Sequence, residues 1–281
     1  MARAAQLRAP ALPDLAPATI IMRTRAKRPG QQSGDRRTTD EEGATLIFGI
    51  HAVEAALRNP RRPIRAILLT DNAQHRLEMA LSERGIKPQR VTPRELDRRL
   101  GPDTVHQGAL IETEPLAELK LEDVATGAAS GPLLVLDQVT DPHNVGAVLR
   151  SAAVFGAAGL VMTRRHSPPL AGALAKSASG ALELVPVVLV PNLARALQQV
   201  HELGYTRLGL DGGAERLLED EPLRGPMAFV LGAEGTGLRQ LTRETCDRLC
   251  RIFATGPITS LNVSNAAAIA LHLAALQRRA V

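Results

Sequence analysis

From residue 133 to residue 253 the chain returns again and again to one pattern, a short apolar run that ends in a polar or glycine-bearing turn. LLVLD (133–137), GLVMT (159–163), VPVVLV (185–190), YTRLGLD (205–211), MAFVLG (227–232) and DRLCRIF (247–253) read as strands. The first is apolar almost throughout, as a strand buried on both faces of a parallel sheet would be. Among and after these runs, NVGAVLRSAAVFG (144–156), LARALQQVHELG (193–204) and SNAAAIALHLAALQRR (264–279) carry helical spacing. Strands alternating with helices predict an α/β fold in which helices cover both faces of a parallel sheet.

A smaller α/β unit precedes it. Phe48, Ile50, Val53 and Leu57 sit at roughly helical spacing; IRAILLT (64–70) reads as a strand, and HRLEMALSERG (75–85) as a helix ending at Gly85. PRELDRRLG (93–101) reads as a further helix, and the unit closes near HQGALIET (106–113). Gly, Ala and Ser then dilute the apolar pattern, which predicts a linker over 118–130. Residues 1–43, rich in Ala, Pro, Arg, Gln and Gly without a period, predict a disordered tail. The expected division is therefore tail 1–43, first domain 44–117, linker 118–130 and second domain 131–281, in keeping with two domains for 281 residues.

Net charge is +5, yet its distribution matters more than its sum. The tail holds eight basic and five acidic residues, which leaves 26 basic and 24 acidic in the body. Four of the 34 basic residues are Lys, so positive charge sits mostly on guanidinium forks suited to phosphate. Five aromatics and no Trp argue against RNA binding on a platform of stacked rings. Cys246 and Cys250 have no second Cys or His pair for a zinc site, so they read as buried small side chains and no metal is expected. No apolar run reaches the length of a membrane span, and Pro10, Pro13, Asp14 and Pro17 interrupt any signal-peptide core. A reducing, cytoplasmic setting is expected, with Met22 as an alternative start.

Three segments carry polar groups where strands run into helices. In DQVTDPHNVGAVLRSAAVFG (137–156) the strand delivers the chain to a turn at Asp141-Pro142; Asn144 is expected to cap the helix, with Arg150 in its second turn. Six residues turn a helix by about 600°, so Asn144 and Arg150 converge only if Asn144 stands at the helix entry. FVLGAEGTGL (229–238) is a strand entering a glycine loop that carries Glu234. It lacks the Lys of a phosphate-binding P-loop, and Gln240 stands where a dinucleotide fingerprint needs Gly or Ala. Asp211-Gly212-Gly213 reads as a turn. In ATGPITSLNVSNAAAIALHLAAL (254–276), Ser260, Asn262, Ser264 and Asn265 cluster before a long apolar helix, and one of them must cap it.

DPHNVGAVLRSAAVFG, VLGAEGTGL and SLNVSNAAAIAL, in that order and spacing, resemble the three motifs of the SpoU (TrmH) family of RNA ribose 2′-O-methyltransferases. FGIHAVEAALRNP with HQGAL resembles the family's substrate-binding domain, similar to ribosomal protein L30e, from the branch that methylates a 23S ribosomal RNA guanosine. The resemblance implies a C-terminal trefoil knot, S-adenosylmethionine as cofactor, RNA as partner with ribosomal RNA ahead of transfer RNA, and a homodimer. Carried over position by position, Asn144, Arg150, Glu234, Ser260 and Asn262 match active-site residues, and Gly232, Ile252 and Leu261 match cofactor contacts. Phe253-Ala254 departs from the Pro-Met often found in relatives. A guanidinium is effectively always protonated, so Arg150 suits phosphate binding and alkoxide stabilisation. Glu234 either accepts the proton or fixes Arg150 or Asn144, and the identity of the base stays open. Two other readings stand beside this one: a transfer RNA methyltransferase, and a knotted RNA-binding assembly protein without catalysis, against which the intact polar residues speak.

Overall fold

The structure, a computed structural model, describes residues 44–125, 131–258 and 260–279. The tail expected at 1–43 and the linker residues 126–130 lie outside the described residues.

The first sheet has four strands, β1 (Thr45–Phe48), β2 (Ile64–Leu69), β3 (Gln89–Arg90) and β4 (Ala109–Thr113), in the order β1-β4-β2-β3. β4 runs antiparallel to both β1 and β2, while β3 pairs parallel with β2. Around it lie α1 (Ile50–Arg58), α2 (Asp71–Arg76), α3 (Glu78–Arg84) and α4 (Pro93–Leu100). Phe48 therefore belongs to a strand and not to the helix its spacing suggested. All four residues of β1 are buried, so no alternation marked them as a strand. The helix predicted over 75–85 is broken at Leu77 into α2 and α3, and it ends as expected at Gly85 in the left-handed region, φ 70°.

The segment expected as a linker begins with a short helix, α5 (Leu121–Val124), whose Leu121 and Val124 enter a hydrophobic core. Beyond it the second sheet has seven strands: β5 (Leu133–Asp137), β6 (Gly159–Thr163), β7 (Val187–Val190), β8 (Thr206–Leu210), β9 (Arg216–Leu217), β10 (Met227–Gly232) and β11 (Arg248–Arg251). Their order is β7-β6-β5-β10-β8-β11-β9, and every pairing is parallel. The helices are α6 (Pro142–Phe155), α7 (Gly172–Ala178), α8 (Leu193–Glu202), α9 (Gln240–Thr245) and α10 (Val263–Arg279). α7 and α9 were not predicted.

Strand alternation divides the apolar residues between two cores. Leu134, Leu136, Leu160, Met162, Phe229 and Leu231 pack with α6, α7 and α10; Leu133, Val135, Val161, Val188, Ala228 and Val230 pack with α5 and α8. Each fully buried Leu, Val or Phe contributes roughly 1.5–3 kcal/mol, so the sheet is the stable frame for its loops. The first core also takes in Ile47, Ile67, Leu69 and Ile111, so the two sheets share one hydrophobic interior.

Candidate active site

Because every strand of the second sheet points the same way, the loops after β5, β10 and β11 leave from one edge. β5 and β10 are neighbours, and β11 lies two places beyond β10. This carboxyl edge is where open parallel sheets bind ligands.

The loop after β5 opens on Asp137, fully buried, and on Gln138 with φ 57°. α6 starts earlier than predicted: Asp141, not Asn144, is its cap, accepting a hydrogen bond from His143 N at 2.9 Å, with Pro142 in the first turn. Proline suits the first helical position because its missing N–H has no helical partner there. Asn144 thus stands in the first turn, half-buried, where its Oδ1 accepts from Asn262 Nδ2 at 3.0 Å. Asn262 is the residue that caps α10: its Oδ1 accepts from Ser264 N at 2.8 Å and from Ser264 Oγ at 2.6 Å. One side chain therefore ends a helix and ties the third motif to the first. Arg150 is exposed, and its guanidinium makes no hydrogen bond or ion pair among the described residues.

The glycine loop is tight as well as short. Gly237 N donates to Ala233 O at 2.9 Å, and a Cβ on Gly232 would collide with the Gly237 backbone. Only a residue without a side chain lets the loop fold back on its own strand. Asp137, register partner of Gly232, fastens the far end: its Oδ1 accepts from Arg239 Nε at 2.7 Å and its Oδ2 from Arg239 N at 3.1 Å. Glu234 is exposed and has no side-chain partner among the described residues. The sequence reading missed Asp137 and Arg239, although a carboxylate closing a buried strand was a visible signal.

After β11, Ile252 packs against the first core, while Ser260 and Leu261 are exposed, Leu261 by 45%. Phe253 N donates to the Glu219 carboxylate at 3.1 Å, a bond that a proline at this position could not make. Exposed Phe253, Ile258 and Leu261 offer apolar surface beside the polar Ser260 and Asn262. Apolar surface and polar groups together beside a glycine loop suit a small ligand that has both apolar and polar parts.

The Asp211-Gly212-Gly213 turn is present, with Gly213 N donating to Asp211 Oδ1 at 2.8 Å. Cys250 is buried and Cys246 half-buried; burial pushes the Cys250 thiol up to about 11 and the Cys246 thiol up to about 12. Neither is a nucleophile at neutral pH. No group of His, Cys, Asp and Glu that could hold a metal occurs among the described residues. A depression of about 920 Å³ lined by Thr70, Arg90, Thr92, His106 and Gly108 lies on the first sheet, away from these loops. Surface shape alone would favour it, but the polar groups converge elsewhere.

A parallel sheet that gathers three polar loops at its carboxyl edge, one of them a glycine loop, defines a ligand-binding α/β protein. Comparison with known proteins narrows the class. Residues 131–272 match the model of the SpoU rRNA methylase family, and residues 46–119 match that of the RNA 2′-O ribose methyltransferase substrate-binding region. The chain belongs to the SpoU rRNA methylase family. It is 42% identical over 242 residues to the 23S rRNA (guanosine-2′-O-)-methyltransferase RlmB of Vibrio vulnificus, covering 84% of this chain and 98% of that protein. Against the enzyme of the same name from Vibrio cholerae it is 41% identical over the same shares. Among solved structures it is similar to the SpoU methyltransferase AviRb from Streptomyces viridochromogenes in complex with AdoMet, with TM-score 0.73, 25% identity, and 88% of this chain and 94% of that one covered.

Proposed function

We propose that this chain transfers a methyl group from S-adenosylmethionine to the ribose 2′-hydroxyl of a guanosine in 23S ribosomal RNA. The names of its relatives support the substrate, and the observation that carries the reading is the Asn144–Asn262 bond, which joins two motif loops across 118 residues of sequence. The division into a substrate-binding domain over 44–117 and a catalytic domain over 131–281 belongs to the same proposal. So do the C-terminal trefoil knot, the homodimer and a cytoplasmic location. Among the described residues no helix is long and apolar enough to cross a membrane.

Gly232, Ile252 and Leu261 would hold the cofactor, whose bound sulfonium supplies an activated methyl group. The chain's own residues must then bring a weakly acidic hydroxyl into line and help it lose its proton. Asn144 and Asn262, each already hydrogen-bonded, are held in place to orient the ribose. Arg150, without a side-chain partner among the described residues, binds the phosphate beside the target and stabilises the developing alkoxide. Glu234 has no tie to Arg150 or Asn144. That supports the carboxylate as proton acceptor and not as an orienting group. Ser260, exposed in the segment before α10, would be a further hydroxyl donor.

Methyl transfer from labelled cofactor to a 23S ribosomal RNA transcript tests the reading. Arg150→Ala is expected to abolish transfer, and Glu234→Gln to lower kcat by about 10²–10⁴ with little change in KM. Full activity in Arg150→Ala, or methylation of transfer RNA alone, would overturn the assignment.

A further inference from the structure

The most deeply buried charge in the first unit faces the second. Arg62, in the loop between α1 and β2, is 2% exposed, and its Nη2 stands 2.6 Å from Oε1 of Glu183, itself 3% exposed. Arg62 Nε donates to both carboxylate oxygens at 3.1 Å, and Asn59 Nδ2 donates to Oε2 at 2.6 Å. Arg62 is held in turn: its Nη1 donates to Glu114 O at 3.2 Å, and Arg84 Nη2 donates to its carbonyl at 2.8 Å. Asn59, Arg62, Arg84 and Glu114 all come from the first sheet's unit, whereas Glu183 lies in the 3-10 turn Ala181–Glu183 just before β7. A buried ion pair contributes little net stability, because desolvation offsets the attraction; a bidentate pair does fix an orientation.

The segment that carries Glu183 is packed closely against both the first unit and α6. A Cβ on Gly180 would meet Ala55 Cβ of α1 at 2.9 Å, and a Cβ on Gly146 of α6 would meet Ser177 Cβ at 2.5 Å and Ala178 N at 2.8 Å. Ser177 Oγ donates to the carbonyl of His143 at 3.1 Å, one residue before Asn144. Residues 172–183 are thus wedged between the first unit and the helix that bears Asn144 and Arg150. Neither contact leaves room for the segment to slide.

We infer that residues 172–183 are an adaptor that sets the first sheet's unit at a fixed position relative to Asn144 and Arg150, with Glu183 as its positioning residue. The inference rests on the methyltransferase reading above and adds to it the element that determines which nucleotide reaches the site. RNA gripped by the first unit is presented at one distance while the pair is intact. Without the pair each sheet keeps its own strands and helices and the shared core still joins them, but the directional tie that sets their fine alignment is lost and the presentation loosens. Cofactor binding, which belongs to the edge of the second sheet alone, is unaffected.

Two variants of the full chain test this. Glu183→Gln keeps the shape and removes the charge; Arg62→Met with Glu183→Leu removes both charges and leaves apolar side chains in their place. Titration calorimetry with S-adenosylmethionine should give a Kd within about twofold of wild type for each, whereas KM for a 23S ribosomal RNA transcript should rise about tenfold with kcat changed far less. Ribose-methylation mapping should show modification spreading to neighbouring nucleotides. Should Glu183→Gln fail to fold, the double variant, which buries no charge, decides alone. A folded double variant with wild-type KM and a single modified nucleotide overturns the inference, and so does a parallel loss of cofactor affinity, which would make the pair merely structural. Wild-type protein that binds no cofactor and methylates no RNA overturns the functional reading itself, a separable result.

Discussion

Asp137 ends a buried strand, begins the first motif loop and, through Arg239, closes the second. Its carboxylate is fully buried while Arg239 is half-exposed, so removing the arginine strands a charge away from water. Arg239→Ala is expected to lower stability by about 3 kcal/mol, because an unpaired buried charge costs more than the pair contributes. Asp137→Asn keeps an acceptor for the Arg239 backbone N–H and is expected to cost only about 1 kcal/mol. Urea denaturation of both variants checks the ordering, and equal midpoints would refute it. The two cysteines make a pH-dependent case. Burial raises both thiols, to about 12 and about 11 from 9.0, so the folded state favours the neutral form. Their contribution to stability is whole below pH 9.0, where an unfolded thiol is still protonated, and is lost as pH rises through the folded values. Iodoacetamide at pH 8 is therefore expected to label the native protein far more slowly than the urea-unfolded chain; equal rates would show that the thiols are not held neutral.

Helix packing leaves little room at the contact between α6 and α7. A methyl group on Gly146 would push into Ser177 Cβ and the backbone at Ala178 and Leu174, none of which is the free end of a long side chain. Gly146→Ala is expected to cost about 1–3 kcal/mol through overpacking, although alanine is the better helix former by about 1 kcal/mol. Thermal denaturation reads the sign, and a stabilised variant would mean that the helices can part. At this scale much was legible. β5, β6 and β10 have the bounds expected of them, because an apolar run closed by a polar turn has few other uses. β1 was not legible, since four buried residues show no period, and α7, built of Gly, Ala, Leu, Lys and Ser, has too little apolar contrast to register. Within the site, polar clusters at strand ends could be read from the sequence, but their pairing could not. Asn144 and Asn262 are 118 residues apart, and only the parallel sheet brings them to one edge. The cap of α6 was misassigned because Asp141 and Asn144 are both good capping residues; the proline between them decided it.

For the molecule as a whole, the shared core means that the two sheets behave as one body over the described residues, which no local pattern in the sequence announced. Net charge is the other property that belongs to the whole chain, and it argues for restraint about the first 43 residues. They carry eight basic and five acidic residues, a surplus of three, while the body carries 26 and 24. If all eight bases neutralised phosphates, deleting the segment would flatten the plot of log binding constant against log salt by about 6 to 7, at about 0.7–0.9 per contact. Five interspersed acids oppose that, so a change of about 2–3 is expected, in line with the net charge. Arg150, the fork proposed above to stabilise the alkoxide, lies in the body and is untouched by the deletion. A chain beginning at residue 44 should therefore keep the wild-type kcat on 23S ribosomal RNA and lose affinity mainly at low salt, where long-range attraction is least screened. Filter binding across a salt series, with single-turnover methylation on the same preparations, separates the two effects. A collapse of kcat would place the segment in the reaction, and an unchanged slope would remove it from RNA binding altogether.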